Sequence, residues 1–233
     1  MIGDDRHEGL LATLALLAPS RPPLERICQG CVELLQVSGA AVVLMSSDEA
    51  GSVAASFGAR VAEVEDLQFA LGEGPCLDSF ERGQPVLEPD LSSGPQDRWP
   101  MFRHEAAAIG ARAVFVLPIQ LGAIRVGVLY LYRTRPGQLS PRELADALDL
   151  AELALMAVLE LQGQVSYGPL GTGLEGEWAN RAVVHQATGM VAAQLDVRLA
   201  VALARIRAHA FAAEMTIYDV ATALVSGRLQ LPA

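Results

Sequence analysis

Lysine is absent from the 233 residues, and all 17 basic residues are arginines. Aspartate and glutamate together number 27, so the formal net charge at pH 7 is −10. A chain this acidic does not attract nucleic acid through its overall charge. The charge is uneven, however, because the last 60 residues hold five arginines against five acidic residues. We therefore expect any contact with an anion to come from local arginines in that final segment.

Long apolar runs are also missing. No segment approaches the roughly 20 consecutive apolar residues that a membrane-spanning helix needs, although 52% of the residues are hydrophobic. The apolar stretch at 10–18 follows Asp4, Asp5 and Glu8, whereas a secretory signal peptide starts with basic residues. We therefore expect residues 1–19 to form an amphipathic N-terminal helix, and the protein to be cytoplasmic and not attached to a membrane.

Cysteine is scarce, with three residues in the chain. An odd number of cysteines without a signal peptide indicates free thiols in a reducing compartment. Cys28 and Cys31 form a C-x-x-C pair, a spacing that redox-active thiols use at helix starts. They lie, however, on the apolar stripe of a predicted helix over 24–36, which favours a buried pair over a redox pair. Structural zinc normally takes four ligands, and no second Cys or His pair is suitably spaced, so we expect no metal site.

Strand patterns dominate residues 20–163. Runs of β-branched and apolar residues predict strands at 39–47, 51–58, 84–91, 111–121 and 123–133, the last two forming a hairpin around Gly122. A further helix is predicted over 97–109, with weak helical character at 59–70. Ser140, Pro141 and Glu143 form a capping pattern before a helix of about 24 residues. This order predicts an α+β domain, with an antiparallel sheet and helices packed to one side of it.

The segment "LGEGPCLDSFERGQPVLEPDL" at 71–91 carries the most specific pattern of this region. It resembles the "GEGxCxxAFRTGxPVxVxDL" segment of actinobacterial GAF domains, small sensory domains with a PAS-like fold. The resemblance extends over residues 20–163. It implies a ligand pocket between the sheet and the long cross-connection, for which Gly72, Gly74 and Cys76 are the candidate residues.

The same residues have a simpler interpretation. Gly72, Gly74 and Pro75 are typical of a turn before a short helix that starts near Cys76. A thiol at a helix N-terminus can have a lowered pKa and react with oxidants, so a redox signal is a further hypothesis. The residues by which GAF domains recognise cyclic nucleotides, haem or bilin have no evident counterpart here. The ligand and any cofactor are therefore left open.

A glycine-rich segment separates two units. The stretch "GQVSYGPLGTGLEG" at 163–176 contains five glycines and one proline, which end the preceding helix. We therefore divide the chain into an N-terminal helix at 1–19, a sensory domain at 20–163, a linker at 164–176 and a small all-α domain at 177–233. Three helices are predicted in the last domain: one over 177–195, one after Asp196 as N-cap, and one after Thr216, with Asp219 completing the cap.

The first of these three helices is small and neutral. Two neighbouring rows of mostly apolar residues run along "RAVVHQATGMVAAQL" at 181–195. One row contains Val184, Thr188, Val191 and Leu195, and the other contains Val183, Ala187 and Met190. A glycine such as Gly189 costs about 1 kcal/mol relative to alanine inside a helix. We therefore expect another helix or a ligand to lie directly against Gly189.

Two C-terminal segments, "RAVVHQATGMVAAQL" and "ALARIRAHAF...MTIYDVATALV", carry a second specific pattern. They resemble the "R..I.QAKG.LM" and "AF..LR..A......L.DVA..IV" segments of ANTAR domains, the three-helix RNA-binding modules of transcription antiterminators. The resemblance covers 178–229 and implies RNA contacts by Arg181, His185, Gln186, Thr188, Gly189, Arg205, Arg207 and His209. Thr188 departs from the family, which usually has lysine there. The arginines could contact phosphates or stack on bases, or they and the histidines could be ordinary solvated surface residues.

These resemblances imply a cytoplasmic homodimeric regulator, in which the first domain senses a signal and the second binds hairpins in nascent RNA. Binding would favour an antiterminator structure, and the signal would pass through the helix at 140–163 as a population shift. The alternative is a regulator whose three-helix domain binds a protein partner, which the acidic chain and Thr188 favour. No Ser/His/Asp set, phosphate-binding glycine loop or zinc cluster can be located, so we do not expect an enzyme.

Overall fold

An antiparallel sheet forms the centre of the N-terminal region in the computed structural model, which describes residues 9–10, 12–14, 20–46, 51–93, 98–164 and 175–232, with backbone only at 162–164 and 175–181. Its strands are β1 (Gly39–Leu44), β2 (Ser52–Gly58), β3 (Val86–Glu88), β4 (Ala113–Leu121) and β5 (Ile124–Arg133), in the spatial order β2-β1-β5-β4-β3. The predicted α+β fold is confirmed. The strand predicted at 84–91 is only three residues long, since Pro85 and Pro89 flank it and cannot donate to the sheet.

Helices cover both faces of this sheet. They are α1 (Pro23–Leu35), α2 (Val61–Leu71), α3 (Pro75–Arg82), α4 (Pro100–Ile109) and α5 (Pro141–Gln164). Phe115 of β4 packs in one apolar cluster with Leu150 of α5, and its neighbour Val116 packs in another with Phe102 of α4. The prediction that helices pack on one side is therefore wrong. Both β4 and β5 are apolar at nearly every position, so both of their faces require cover.

The C-x-x-C pair lies in the core. Cys28 and Cys31 are fully buried in α1, and the Cys28 thiol is 3.6 Å from the carbonyl oxygen of Ala55. Burial raises the pKa of Cys28 to about 12 and raises that of Cys31 well above its ordinary value. The prediction of a buried pair is confirmed, and the thiolate forms that redox chemistry needs are disfavoured.

The capping pattern of α5 forms as predicted. Glu143 accepts a hydrogen bond from the Ser140 amide at 2.6 Å, and its own amide donates to the Ser140 hydroxyl at 3.2 Å. Glu143 also accepts from Arg133 at the end of β5, with nitrogen and oxygen 2.6 Å apart. The 24 residues of α5 match the expected length. This reciprocal cap fixes where the long helix leaves the sheet.

Three further helices form the C-terminal domain: α6 (Glu175–Leu195), α7 (Leu199–Ala212) and α8 (Ile217–Val225). Their shared core consists of buried small and branched side chains, among them Val184, Ala187 and Val191 of α6, Ala202 and Ile206 of α7, and Val220 and Leu224 of α8. Thr216 caps α8 as predicted, because its hydroxyl accepts from the Asp219 amide at 3.1 Å.

Asp196 has a different role from the predicted one. It adopts a left-handed conformation, with φ of +51°, and α7 begins only after Arg198. The amide of Val197 donates back to the carbonyl of Ala192 at 3.1 Å. This is the hydrogen bond that closes a helix C-terminus, where an aspartate tolerates the left-handed conformation. Asp196 therefore ends α6 and does not cap α7.

Little of the N-terminal stretch can be compared with its prediction. Residues 9, 10 and 12–14 are helical, and Leu10 and Leu14 are buried. The rest of the helix predicted at 1–19 and the linker residues 165–174 lie outside the described residues. Among the described helices, none has by itself the length and apolar character required to cross a membrane. Helices α6 and α7 reach that composition only as a pair, which is bent by 107°.

Candidate functional site

The centre of α6 presents a flat, neutral surface. Gln186 and Gly189 are exposed, together with Ala193 in the next turn, and Met190 beside them is 43% exposed. A Cβ atom added at Gly189 would meet no described atom within 4 Å. No helix of the described part of the chain lies against Gly189, and this face is open to a ligand or another partner.

Thr188 does not belong to that surface. Its side chain is buried, and its hydroxyl donates to the carbonyl of Val184 at 2.7 Å. Thr188 lies four residues after Val184, on the same row of the helix, and so faces the three-helix core. The prediction of an RNA contact at Thr188 is corrected accordingly. The apolar row in the sequence already contained the signal for this placement.

Arg205 and Arg207 lie on different sides of α7. Two residues correspond to about 200° around a helix, so their side chains diverge. Arg205 is exposed, and its Nη1 donates to the carbonyl of Pro232 at 3.3 Å. Arg207 is half-buried against the first domain, where Nε and Nη2 donate to the carbonyl of Phe69 at 3.0 and 2.6 Å. In this docked arrangement, Arg205 is therefore the more accessible of the two for an external anion.

Phe69 is the centre of the contact between the domains. This residue of α2 is 5% exposed and packs within the apolar cluster of the three-helix domain. Its ring stacks on Tyr218 with centroids 6.4 Å apart, and meets the ring of His185 edge-on at 6.3 Å. The Tyr218 hydroxyl also donates to Asp66 at 3.2 Å. His185, predicted to contact RNA, is thus half-buried beside α2.

The two remaining residues that were predicted to contact RNA are His209 and Arg181. His209 is half-buried near the end of α7. The side chain of Arg181 lies outside the described part of the structure. The predicted set is therefore divided: Gln186, Gly189 and Arg205 are exposed, His185 and Arg207 face the first domain, and Thr188 is in the core.

Gly72 and Gly74 serve the close packing around α2. Gly72 closes this helix with φ of +70°, and a Cβ atom there would lie 2.8 Å from Nη1 of Arg207. Gly74 has φ of +144°, and a Cβ atom there would lie 2.5 Å from Oε1 of Gln68. Both positions require glycine for backbone conformation and for space. This arrangement supports the turn interpretation of the two glycines.

Cys76 is held at the start of α3 by a buried amide. Oε1 of Gln68 accepts from the Cys76 backbone amide at 2.8 Å, while Nε2 of Gln68 lies 3.1 Å from the Cys76 sulfur. Both residues are buried, and each is only 2% exposed. The Gln68 side chain thus satisfies one of the free amides at the helix start. No local sequence pattern indicates this contact, because Gln68 lies in a weakly patterned segment.

A cavity of about 230 Å³ lies where the two domains meet. Its wall includes the ends of β1 and β2, one side of α2 and α3, and three residues of α7: Met45, Ser46, Gly51, Glu65, Gln68, Phe69, Cys76, Leu77, Phe80, Glu81, Ala200, Leu203 and Arg207. Of the three candidate pocket residues, only Cys76 lines it. Within the described ranges, no group of three or more His, Cys, Asp or Glu side chains is placed to hold a metal ion.

Comparison with known families divides the chain in the same order as its architecture. The family model of the GAF domain matches residues 24–162, and that of the ANTAR domain matches residues 172–225. No curated protein sequence matches the chain.

Solved structures resemble the N-terminal part. The GAF domain of an Acinetobacter phosphoenolpyruvate-protein phosphotransferase superposes with a TM-score of 0.51 at 14% identity, covering 69% of this chain and 96% of that one. The corresponding domain from Coxiella burnetii gives a TM-score of 0.51 at 18% identity, covering 68% and 97%. At such low identity, these similarities concern the fold alone.

Proposed function

Because the chain belongs to the GAF family and carries an ANTAR domain after the GAF domain, we propose that this signal-responsive regulator is an RNA-binding transcription antiterminator. Its GAF domain binds a small-molecule signal, and its ANTAR domain binds hairpins in nascent RNA. Both domains are regulatory in character, and the proposal includes no catalytic step. The protein acts in the cytoplasm, where nascent bacterial transcripts are found.

The open face of α6 is the observation that carries this proposal. Gln186 supplies amide donors and acceptors, and Gly189 leaves room for a backbone or a base to approach closely. Arg205 is exposed on α7 and supplies a positive charge for a phosphate. The acidic charge of the whole chain makes such local contacts decisive, because long-range attraction to RNA is absent.

Homodimerisation is part of the same proposal. Helix α5 exposes Leu148, Met156 and Leu159 to 42%, 60% and 42%. Positions separated by three or four residues, or by multiples of a turn, share one face of a helix. A second copy of the chain would cover this face and place two ANTAR domains side by side for paired hairpins.

RNA capture with two variants of Gly189 tests the proposal. Gly189→Glu places a negative charge on the open face, while Gly189→Gln adds a neutral side chain of the same size. Space around Gly189 accepts either, and both residues favour helix more than glycine does. We expect the wild type to enrich leader RNAs with paired hairpins, and Gly189→Glu to reduce this enrichment at least 10-fold more than Gly189→Gln.

Arg205→Ala provides the second arm, with Arg142→Ala as its control. The Arg142 side chain is 91% exposed on α5, far along the chain from the ANTAR domain. Arg205→Ala should weaken RNA capture and reduce its salt dependence, whereas Arg142→Ala should leave both unchanged. Absence of any enriched RNA at low salt, with the wild-type protein folded, would reject the antiterminator.

Exposed apolar side chains at the C-terminal end of α7 and in the turn that follows favour a second candidate function, binding of a protein partner by the ANTAR domain. Phe211 is 73% exposed, and Met215, four residues later, is 43% exposed. Aromatic and methionine side chains are enriched at protein interfaces. Capture of one protein by the wild type that Phe211→Ser abolishes, without any enriched RNA, would establish this second function.

A further inference from the structure

The interdomain cavity contains a positive charge without an acidic partner among the described residues. Arg207 projects from α7 into the wall of the cavity, whose other sides belong to the GAF domain. Its Nε and Nη2 donate to the neutral carbonyl of Phe69. Over the part of the chain that the structure describes, no carboxylate oxygen lies within 4.0 Å of this guanidinium.

One edge of the guanidinium is available to a ligand. Nη1 makes no hydrogen bond with a described residue, and it is not fully enclosed. Nη1 lies beside Gly72, and a Cβ atom at that position would be only 2.8 Å from it. Burial lowers the pKa of Arg207 from its ordinary value, although the group remains charged at neutral pH. A partly buried charge whose hydrogen bonds go only to a neutral carbonyl is stabilised by a bound anion.

The rest of the wall restricts which anion fits. Met45, Leu77, Phe80 and Leu203 form apolar surface. Glu65 and Glu81 also line the cavity and repel negative charge, so an anion with one charge, placed against Arg207, is repelled less than an anion with two. The volume of about 230 Å³ is below the range of roughly 300–1,000 Å³ that is common for drug-sized ligands. A small molecule with one negative charge and an apolar body meets all of these conditions.

We propose that this cavity binds a small monocarboxylic acid whose carboxylate pairs with Arg207 while its apolar part contacts Leu203 and Phe80. The assignment rests on the proposed function in one respect, since it names the chemical class of the signal that the GAF domain senses. The ANTAR domain thereby contributes Arg207 to the ligand site of the GAF domain that regulates it.

Ligand binding and domain docking are coupled by this geometry. The carboxylate partner comes from α7, whereas most of the wall comes from α2, α3 and the residues that directly follow β1 and precede β2. The complete site therefore exists only when the two domains are docked. A ligand that binds only the docked state stabilises it, and docking raises the ligand's affinity by the same factor.

Calorimetric titration of the full chain with hexanoate and with benzoate tests the site. Both probes carry one carboxylate on an apolar body. We expect each to bind the wild type and to slow amide hydrogen exchange in α2 and α7 while leaving β4 and β5 unchanged. Hexanamide, which has the same chain but no charge, should bind at least 10-fold more weakly than hexanoate.

Two conservative variants separate charge from packing. Arg207→Gln removes the charge and should weaken hexanoate binding at least 10-fold, whereas Arg207→Lys keeps the charge and should retain part of the affinity. Leu203→Phe reduces the cavity volume and should also weaken binding. The matched control is Arg205→Gln, because Arg205 lies two residues away on the other side of α7 and is exposed. This control should bind hexanoate as the wild type does.

Several results would overturn the proposal: no binding of either probe at millimolar concentration, equal binding by Arg207→Gln, or equal binding of hexanamide. Tighter binding of inorganic phosphate or succinate than of hexanoate would overturn the monocarboxylate class. Failure here with normal RNA capture leaves the antiterminator function in place. Probe binding without RNA capture rejects that function and retains the site.

Discussion

The guanidinium of Arg207 donates two hydrogen bonds to the backbone carbonyl of Phe69, a residue 138 positions earlier in the chain. The Phe69 ring in turn belongs to the apolar cluster of the ANTAR domain, although its backbone is part of a GAF helix. Phe69 thus connects the two domains, because its backbone lies in the GAF domain while its ring packs in the core of the ANTAR domain.

Phe69→Ala tests how much this contact stabilises the ANTAR domain. Replacing phenylalanine by alanine in a core costs about 3–5 kcal/mol, and we expect about 3 kcal/mol here because Phe69 lies at the edge of the cluster. Urea unfolding measures the loss, and hydrogen exchange should show faster opening of α8 than of β4. Leu121→Ala is the control, since Leu121 is 57% exposed and should change stability by less than about 0.5 kcal/mol. A loss below about 1 kcal/mol would contradict the shared core.

Alanine at Gly189 and at Gly72 should have opposite effects on stability. Gly189 lies inside a helix with open space around it, so Gly189→Ala should stabilise the protein by about 1 kcal/mol. Gly72 has φ of +70° and its new Cβ would displace Arg207, so Gly72→Ala should destabilise it by at least about 1 kcal/mol. Thermal unfolding of both variants checks the signs. Destabilisation by Gly189→Ala would mean that a neighbour covers this face in solution.

The cap of α5 predicts a pH dependence. The Ser140 amide, followed by the Ser140 hydroxyl and Arg133, lowers the pKa of Glu143 from its ordinary value of 4.5. The ionised carboxylate therefore stabilises the fold above the unfolded pKa, and this contribution is lost as pH falls through the lower folded pKa. Chemical unfolding of wild type and Glu143→Gln between pH 7 and pH 3 should show a stability difference that shrinks below about 4.5. A difference that stays constant over this range would exclude the ionised cap.

The buried thiols of α1 should be chemically inert in the folded protein. A thiol with a pKa of about 12 contains very little thiolate at pH 8, and Cys28 and Cys31 are also inaccessible. We expect iodoacetamide to label both at least about 100-fold more slowly in buffer than in denaturant. Mass spectrometry of digested samples distinguishes them from Cys76. Rapid labelling, or a Cys28–Cys31 disulfide after mild oxidation, would show that the pair is accessible after all.

Local sequence signals predicted much of the fold. The Ser140 and Thr216 caps were identifiable because a cap and its partner are three residues apart. Asp196 was misassigned because aspartate suits both a helix N-cap and a left-handed C-terminal position, and the sequence alone does not distinguish them.

The candidate site was predicted only in part. The open face of α6 follows from helical periodicity, and the burial of Thr188 could have been inferred from the same row. The placement of Arg207 against Phe69 depends on how two domains dock, and no pattern within either segment encodes that contact. The residues of α2 that line the cavity were missed for a different reason, because they lie in a segment with weak helical periodicity.

The burial of Phe69 in the ANTAR cluster has a consequence for the evolution of such proteins. An ANTAR domain that recombines with a different sensor loses an aromatic residue from its own interior unless the new sensor supplies one at the same place. The unit that folds therefore extends beyond the ANTAR segment recognised in the sequence. A different sensor joined to this ANTAR domain would therefore have to supply an apolar side chain at the place of Phe69 as well as a response to its own signal.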